Sequence, residues 1–416
     1  MIYVNGHACA MLVRVGKARY AHFESLKRFE SEVLYYMNTR MHVDVAVIGA
    51  GVVGCAIAQH LSETYPHVSI AVLEKYTRPG LETSSRNSGV LHSGFHERPG
   101  SLKAKLAREG SGLALAFAKS HNVPVLNCGM LIAVPREFAA GMCFSQVRNL
   151  WRLAWQGKRQ NISFQLITPE RIRRELELPL HTLFGVFIPS VCVVDAWLLT
   201  DELCRDAIKN LVKFEFGHSV EAVERTATHW RLLTNNGDYR ADTVINAAGL
   251  EAHNMARMSG FADYNIELWR GEYYEVINRE KANQIRRLVY PVMPKHSPGK
   301  GIHFSPRPDG KLFLGPNAKL VESKSYDENP TPPDEFLETA RRFYPALERE
   351  DLRWSYAGIR PKLRTTAKEP DFVIQKHTLG PAWVNLIGID SPGLSASLAI
   401  ARHVVSLLDS EFRAHM

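Results

Sequence analysis

The sequence predicts an α/β fold in which a Rossmann-type domain is interleaved with a second domain built on an antiparallel sheet. The first observation is a βαβ unit: a β-branched run at residues 43–48, a glycine turn at 49–54, a helix through Leu61, and a second strand that ends on Glu74. Such uninterrupted apolar runs are typical of strands buried on both faces. The second is a stretch of short alternating segments at 268–315, which is typical of antiparallel strands. Both kinds of segment recur along the chain, so we expect each domain to consist of non-adjacent pieces.

The glycine turn has the G-x-G-x-x-G spacing of a dinucleotide-binding fingerprint. Gly49 would make the tight turn, Gly51 would let a pyrophosphate approach the backbone at the helix N-terminus, and Gly54 would allow close packing of helix on strand. The motif alone is weak evidence, but a strand precedes it and a helix follows it, as the fingerprint requires. Glu74 lies where an acid accepts hydrogen bonds from a ribose. The remaining positions of the turn that we expect to contact the nucleotide are Val52 and Val53.

The rest of the chain supplies further elements of both domains. Helices are expected at 196–210, 334–344 and 394–408, and strands at 243–247 and 383–389. Two apolar runs, 302–305 and 311–314, flank a Pro-Asp-Gly turn at 308–310, which predicts a hairpin. A Pro-rich linker around 330–333 precedes the helix at 334. No internal repeat and no low-complexity tract interrupts this order.

Composition restricts the class of protein. A chain of 416 residues with 45% hydrophobic and 23% charged residues is expected to fold as more than one domain. The net charge is +8, but Lys and Arg alternate with acids, so nucleic-acid binding is not expected. No apolar run is long enough for a transmembrane segment. The six cysteines form no CxxC pair and no metal-ligand spacing, so we expect free thiols and no metal site.

Residues 1–40 precede the first predicted strand and do not resemble a targeting segment. They are basic, yet they contain Glu24, Glu30 and Glu32, whereas a mitochondrial presequence lacks acids. Met41 begins where a compact nucleotide-binding domain would begin. We therefore interpret residues 1–40 as a poorly ordered extension and Met41 as a natural start.

Several motifs together resemble the D-amino acid oxidase superfamily of FAD-dependent oxidoreductases, and within it the L-2-hydroxyglutarate dehydrogenase/oxidase group. The resemblance extends over roughly residues 43–408 in order. Besides the glycine unit, it rests on the stretches 83–94, 99–106, 246–249, 270–273, 301–307, 314–318, 358–361 and 391–392. Agreement of this many stretches in order is improbable by chance.

The resemblance implies a Rossmann-type FAD-binding domain and an antiparallel-sheet substrate domain that covers the flavin ring. We assign residues 41–125, 190–265 and 350–416 to the FAD-binding domain, and residues 126–189 and 266–349 to the substrate domain. FAD is expected to be bound non-covalently, because Arg86 stands three positions before Gly89 where some relatives carry a flavin-linked His.

Two polar segments are expected to contact FAD in addition to the glycine unit. The resemblance places the loop at 83–89 along the pyrophosphate and ribityl chain, where hydroxyls and backbone N–H groups suit the ligand. The turn at 390–393 opens the last helix, and its unpaired N–H groups would stabilise negative charge on a reduced flavin. The same turn also fits a plain helix cap. The residues assigned to FAD here are Ser84, Ser85, Arg86, Asn87, Ser88, Gly89, Gly249, Ser391, Pro392, Gly393, Leu394 and Ser395.

Oxidation of a 2-hydroxy acid requires a base for the hydroxyl proton, and a histidine titrates in the suitable range. Of seventeen histidines, His92 and His303 lie in the motifs that carry the resemblance. We assign His303 as the base, because the substrate domain covers the ring in this family. His92, in the FAD loop, would then orient the substrate or contact the cofactor.

Carboxylate recognition favours arginine, whose planar fork matches two oxygens. Arg360 lies in the Gly-Ile-Arg-Pro motif, and Arg364 has the spacing of the carboxylate-binding arginine of D-amino acid oxidases. Arg307, shortly after His303, is a candidate for a second carboxylate. For each of them a surface ion pair is the alternative role.

The expected function is oxidation of L-2-hydroxyglutarate, or of a similar 2-hydroxy acid, by hydride transfer to flavin N5. The alternatives are an amine or amino-acid oxidase acting on glycine, sarcosine or a D-amino acid, and an enzyme with glycerol-3-phosphate dehydrogenase-like chemistry. From another class, a flavin-dependent tRNA-modification protein would require a basic stripe, which this sequence lacks. Oxygen, a quinone and an electron-transfer flavoprotein are equally open as electron acceptors. We expect a cytoplasmic protein, with peripheral membrane attachment left open, or a mitochondrial one in a eukaryotic source.

Overall fold

The structure is a computed structural model that describes residues 41–413, except 137–139, 262–263, 295–296, 298, 367–369 and 379. The predicted N-terminal extension, residues 1–40, lies outside the described residues. Among the described cysteines, Cys55, Cys128, Cys192 and Cys204 are free and buried. None of the helices in this part of the chain combines the length and hydropathy that a membrane crossing requires.

The elements follow in the order that the sequence predicts for an interleaved α/β protein. The strands are β1 (Met41–Ile48), β2 (Ile70–Glu74), β3 (Val90–Leu91), β4 (Val125–Leu126), β5 (Met130–Pro135), β6 (Gln165–Ile167), β7 (Thr182–Ile188), β8 (Cys192–Val194), β9 (Lys213–Phe216), β10 (Val220–Arg225), β11 (Trp230–Thr234), β12 (Gly237–Asn246), β13 (Ile266–Val276), β14 (Leu288–Pro291), β15 (His303–Pro306), β16 (Leu312–Gly315), β17 (Lys319–Val321), β18 (Leu352–Leu363), β19 (Val373–His377) and β20 (Ala382–Ile387). The helices are α1 (Val52–Thr64), α2 (Leu102–Ser120), α3 (Ala140–Arg159), α4 (Pro169–Glu175), α5 (Ala196–Lys209), α6 (Ala252–Met258), α7 (Arg279–Asn283), α8 (Pro333–Arg341) and α9 (Gly393–Arg413), with 3₁₀ turns at Gly249–Glu251 and Arg349–Asp351.

The first sheet has a parallel centre in the order β9, β2, β1, β12 and β20. The long strand β12 pairs with β20 through its second half and with the antiparallel strand β11 through its first half. Strand β19 closes the sheet beyond β20. The parallel pairing confirms the predicted βαβ unit, because β1 and β2 lie side by side with α1 as their crossover.

Apolar side chains fill both faces of this sheet. Helices α1, α2, α5 and α9 cover one face and bury a core with residues such as Val47, Val72 and Ile400. On the other face, Trp230 and Trp383 are fully buried against the β10–β12 meander. Burial of a large side chain contributes about 1.5–3 kcal/mol, so the sheet is held by both of its layers.

The second sheet has the order β17, β13, β16, β15, β14, β5, β7 and β6, and β18 pairs with β13. The predicted hairpin is confirmed, because β15 and β16 pair antiparallel around the turn at 308–310. Strand β18 is paired with β13 from Leu352 to Leu363. The segment 350–416, which we assigned to the FAD-binding domain, is therefore divided: β18 belongs to the second sheet, and the chain returns to the first sheet at β19.

Helix α3 is the longest of the helices that the sequence analysis did not predict. Its buried positions include the polar residues Asn149 and Gln156, whereas Trp151 and Trp155 are exposed by 59% and 57%. Because polar residues occupy buried positions and tryptophans occupy exposed ones, the sequence does not show the clear apolar stripe from which an amphipathic helix is normally predicted. The helix packs beside β5 and β7 of the second sheet.

Two glycines of α2 provide a matched test of helix packing. A Cβ at Gly110 would collide with the Ser395 carbonyl and lie 2.8 Å from Ala396 Cα, both on α9, whereas a Cβ at Gly112 meets nothing. We expect Gly110→Ala to lower the free energy of unfolding by about 1–3 kcal/mol and Gly112→Ala to raise it by about 0.5–1 kcal/mol. Chemical denaturation of the two variants checks this, and equal effects would contradict the packing.

Candidate active site

The glycine turn between β1 and α1 is built as a nucleotide cradle. Gly49 has a φ of +101°, and a Cβ there would lie 2.7 Å from the Ala247 carbonyl oxygen. A Cβ at Gly54 would collide with the carbonyl of Gly49. Gly51 stands at the N-cap of α1 and supplies no side-chain cap. Because Gly51 carries no side chain, a pyrophosphate can approach the backbone at the start of α1, which is the arrangement that binds pyrophosphates.

Glu74 closes the turn from the end of β2. Its Oε2 accepts the Ala50 amide at 2.8 Å and its Oε1 accepts the Tyr76 amide at 2.9 Å. Burial raises the pKa of Glu74, and these two amides oppose the shift. The carboxylate lines a small cavity of about 120 Å³ together with Gly49, His218 and others. A buried acid in such a cavity suits the ribose of an adenosine.

A cavity of about 910 Å³ lies next to this cradle, between the two sheets. It shares Gly51, Thr83, Ser84, Ala247 and Gly249 with the smaller cavity, so the two adjoin. Its size is at the upper end for small-molecule sites, which is suitable for a large cofactor with a small substrate. The predicted residues that line it are Gly51, Val52, Val53, Ser84, Asn87, Ser88, His92, Gly249, His303, Arg360, Arg364, Ser391, Pro392, Gly393, Leu394 and Ser395.

The loop at 83–89 is held in place by its own polar groups. Ser84 Oγ accepts the Val52 amide at the start of α1 at 2.9 Å. The Asn87 side chain donates to the carbonyls of Thr83 and Ser84 and accepts the Gly89 amide at 2.7 Å. The loop therefore presents a fixed row of hydroxyl and amide groups to the cavity.

Strand β18 holds this loop from the other side. Thr83 Oγ1 donates to the Ile359 carbonyl at 2.8 Å, and Arg86 Nη1 donates to the Ala357 carbonyl at 3.3 Å. Arg307 donates to the Asn87 carbonyl at 3.1 Å and also to the Tyr356 hydroxyl. Arg86 and Arg307 do not line the cavity, nor do Ser85, Gly89 and Gly54. Arg307 thus lies between the loop and the second sheet, and the Arg86 side chain lies against β18.

The turn before α9 forms the opposite wall. Ser395 Oγ accepts the His92 amide at 2.8 Å and donates to the Val90 carbonyl, which fixes the backbone of His92. Asp390 is paired with the buried Lys103 at 2.6 Å. Lys103 was not predicted as a site residue, although it lies in one of the matching stretches. The pair anchors the start of α9 beside the cavity.

His303 carries a defined hydrogen-bonding geometry. Its Nδ1 lies 2.9 Å from the Gly301 carbonyl, so this nitrogen bears the proton and Nε2 is left as an acceptor. Nε2 is buried and has no hydrogen-bond partner among the described residues. Burial lowers the pKa of His303 to about 3, so the ring is neutral at physiological pH. Its Nε2 is therefore available to accept a hydrogen bond from a substrate.

Two neighbours of the predicted histidines were missed in the sequence. Tyr290 stacks on His303 with ring centroids 3.7 Å apart, and its buried hydroxyl has no partner in the described part of the chain. His96 lies 6.3 Å from His92 and 5.9 Å from Tyr290, centroid to centroid. Burial lowers the pKa values of His92 and His96 well below 6.5. His96 comes two residues after a matching stretch, whereas Tyr290 lies in an ordinary apolar strand.

Arg360 also lines the large cavity. Its Nη2 donates to the Asn317 carbonyl at 3.3 Å, and its buried Nη1 has no partner within the residues that the structure describes. Arg364 also lines the cavity, but its side chain is 67% exposed and lies 3.7 Å from Glu267. Of the two, Arg360 has the unpaired buried donor that a carboxylate would satisfy.

FAD fits this set of residues. The glycine turn at the N-terminus of α1, the buried Glu74 and the polar loop at 83–88 suit the adenosine and pyrophosphate. The N-terminus of α9 faces the large cavity. Among the described residues, seven Lys or Arg and four Asp or Glu line that cavity, an excess that suits anions. No cluster of potential metal ligands occurs in the described ranges.

Similarity to known protein sequences agrees with an FAD site of this geometry. Residues 44–407 match the DAO family, whose members are described as FAD dependent oxidoreductases. The L-2-hydroxyglutarate dehydrogenase of Arabidopsis thaliana is 31% identical over 412 residues, which cover 88% of this chain and 83% of the plant protein. The glycerol 3-phosphate dehydrogenase of Caloramator mitchellensis is 27% identical over 368 residues, or 88% of this chain and 73% of that protein.

Solved structures share the architecture. The FAD-bound L-alpha-glycerophosphate oxidase of Mycoplasma pneumoniae superimposes with a TM-score of 0.79 at 27% identity, over 88% of this chain and 95% of its own. Glycine oxidase of Bacillus cereus superimposes with a TM-score of 0.73 at 19% identity, over 89% of this chain and 95% of its own, which supports the fold alone. The chain belongs to the DAO family and is an FAD-dependent oxidoreductase.

The low pKa of His303 predicts a pH-dependent stability. An unfolded histidine titrates near about 6.5, whereas the folded group titrates at about 3. Between these values the unfolded chain binds more protons, so acidification destabilises the fold. We expect the His303→Gln variant to lose less Tm than the unmodified protein between pH 7 and pH 5, by roughly 2 °C. The control, His67→Gln, replaces an exposed ring; parallel Tm curves for His303→Gln and the unmodified protein would contradict the assignment.

Proposed function

We propose that this FAD-dependent oxidoreductase oxidises L-2-hydroxyglutarate to 2-oxoglutarate. The observation that carries the proposal is the pair formed by His303 and Arg360: a neutral imidazole and a guanidinium, each with a buried unpaired nitrogen, in one cavity wall. A 2-hydroxy acid has the matching groups, because its carboxylate and hydroxyl are on adjacent carbons. The identity of 26–31% to several L-2-hydroxyglutarate dehydrogenases supports the same choice.

In the proposed reaction, Arg360 binds the carboxylate next to C2 and so places the C2 hydroxyl near His303. His303 Nε2 accepts the hydroxyl proton while Nδ1 stays bonded to Gly301, which fixes the tautomer. Loss of that proton favours departure of the C2 hydrogen as hydride, and leaves the 2-oxo group. FAD, when bound, supplies the two-electron acceptor. His92, held by Ser395, would orient the substrate.

A second candidate is oxidation of glycerol 3-phosphate. It is favoured by the resemblance to the glycerol 3-phosphate dehydrogenase and the glycerophosphate oxidase, both 27% identical. The positively charged cavity would accept a phosphate as well as a carboxylate. Amino-acid oxidation stays the third alternative, and it requires an amine where the first two require a hydroxyl.

Anaerobic reduction of the flavin distinguishes these substrates. We expect L-2-hydroxyglutarate to bleach the bound flavin, while glycerol 3-phosphate, L-lactate, glycine, sarcosine and D-alanine do so much more slowly or not at all. The visible spectrum of the yellow holoenzyme is the measurement. Faster bleaching by glycerol 3-phosphate or by an amino acid would replace the proposal with the corresponding alternative.

The assignment of His303 as base predicts a ranking of two variants. We expect His303→Gln to slow flavin reduction by about 10²–10⁴-fold, the usual effect of losing a general base. His92→Gln should affect substrate affinity more than the rate at saturation, because it lacks the base role. Stopped-flow reduction at several substrate concentrations separates the two effects. If the reduction rate of His303→Gln were unchanged, another group would be the base.

Oxygen, a quinone and an electron-transfer flavoprotein would each reoxidise a reduced flavin, and reoxidation rates with each acceptor rank them. We propose a cytoplasmic enzyme, with peripheral membrane contact as the alternative, or a mitochondrial one if the source is eukaryotic.

A further inference from the structure

Helix α3 contributes a polar face to the cavity that the proposed reaction does not use. Arg152 and Gln156 both line the cavity, with Leu153 between them. A spacing of four residues places the two polar side chains on one face of the helix. Arg152 Nε and Gln156 Oε1 are buried and lack hydrogen-bond partners in the described part of the chain. Since roughly 90% or more of buried polar groups in proteins are paired, an unpaired donor and acceptor side by side indicate a place for a ligand.

The helix is rigidly attached to the loop that carries His92 and His96. Gln160, one residue beyond the end of α3, donates to the carbonyls of Gly94 and Glu97 at 3.3 and 3.2 Å. Arg108 on α2 donates to the Gln160 carbonyl at 2.9 Å. These bonds fix the end of α3, and with it Arg152, relative to the histidines.

Arg152 and Arg360 act on different histidines of a row of neighbouring rings. His303 stacks on Tyr290, and Tyr290 is followed by His96, whose centroid lies 5.9 Å from it. The charge of Arg360 acts on His303, whereas the charge of Arg152 acts on His96. The three rings therefore follow one another in the order His303, Tyr290 and His96.

Three other cations of the cavity are paired with acids. Lys103 pairs with Asp390 at 2.6 Å, Lys300 with Glu97 at 3.2 Å, and Arg364 with Glu267 at 3.7 Å. Arg152 and Arg360 have no acid within ion-pair distance among the described residues. Within the described part of the chain, they are also the two cavity-lining arginines that have a buried nitrogen without a partner.

We propose that Arg152 forms a second anion subsite that binds the distal carboxylate of a 2-hydroxy dicarboxylic acid, with Gln156 beside it offering the N–H donors of its side-chain amide to the same carboxylate. Arg360 binds the carboxylate beside the hydroxyl, whose proton His303 accepts. The inference rests on the proposed function and makes it more specific, because it explains how a dicarboxylate is preferred to a monocarboxylate. The chemistry shared with the alternative substrate is a terminal anion, which a phosphate would also supply.

The test compares two ligands of the same length in the holoenzyme. 2-Oxoglutarate and 2-oxopentanoate both have five carbons, but the second has a methyl group in place of the distal carboxylate. We expect Arg152→Gln to weaken 2-oxoglutarate binding by roughly 10–100-fold, the loss expected for a charge-assisted bond, and to leave 2-oxopentanoate binding within about twofold. Isothermal titration calorimetry measures both.

Two comparison variants locate the effect. Arg360→Lys should weaken both ligands alike, because both carry the carboxylate that Arg360 binds. Arg148→Gln, at an exposed position of the same helix, should change neither. If Arg152→Gln does not fold, Arg152→Lys and Gln156→Leu provide the same contrast, with smaller losses restricted to 2-oxoglutarate. Equal losses for both ligands in the Arg152 variants, or no loss, would overturn the subsite.

Failure of the subsite and failure of the proposed function give different results. If L-2-hydroxyglutarate bleaches the unmodified holoenzyme and Arg152→Gln keeps its affinity, the subsite alone is wrong. If L-2-hydroxyglutarate does not bleach it, the proposed function is wrong. A selective loss of glycerol 3-phosphate binding in Arg152→Gln would then assign the anion subsite to a phosphate and overturn the dicarboxylate assignment.

Discussion

The antiparallel pairing of β13 with β18 is the contact on which the geometry of the site depends. Its register sets Gly271 opposite Gly358 and Trp269 opposite Arg360. A Cβ at Gly271 would lie 2.5 Å from Arg360 Nη2, and one at Gly358 would collide with the Arg86 carbonyl. One pairing therefore makes room for the Arg360 side chain and brings the second sheet against the loop at 83–89. A register slip of one residue would turn Arg360 to the other face of the sheet.

The network around Glu272 supports this pairing from the far side of Arg360. Burial raises the pKa of Glu272, but hydrogen bonds from Thr331 and Asn317 outweigh it and hold the pKa below its usual range. Asn317 in turn accepts Arg360 through its carbonyl oxygen. The Glu272 carboxylate is hydrogen-bonded by Asn317 and Thr331. In contrast, Nη1 of Arg360 has no hydrogen-bond partner among the described residues. A buried unpaired donor costs about 1–3 kcal/mol, and a bound carboxylate would remove that cost.

The parts predicted from sequence are those encoded by short-range patterns. The cradle spans Gly49 to Glu74, so its strand, turn and helix are visible in one stretch, and the hairpin at 303–315 is equally local. The place of Arg307 was not visible, because its bonds go to Asn87 and Tyr356, which are far away in sequence. Helix α3 was missed since its tryptophans are on the exposed face. Tyr290 became a site residue only through its stacking on His303, which no local pattern encodes.

Because of this difference between local and distant encoding, one stretch of sequence is enough to predict the cofactor but not the substrate. The FAD cradle is one continuous unit, and relatives that share it share the cofactor. The proposed substrate groups come from the loop after β3, helix α3, β14, β15 and β18, which approach one another only in the folded chain. A change in any one of these elements alters the cavity without touching the cradle. Relatives with different named substrates can therefore have the same architecture, and the residues that discriminate among substrates are expected on elements such as α3 that lie outside the shared motifs.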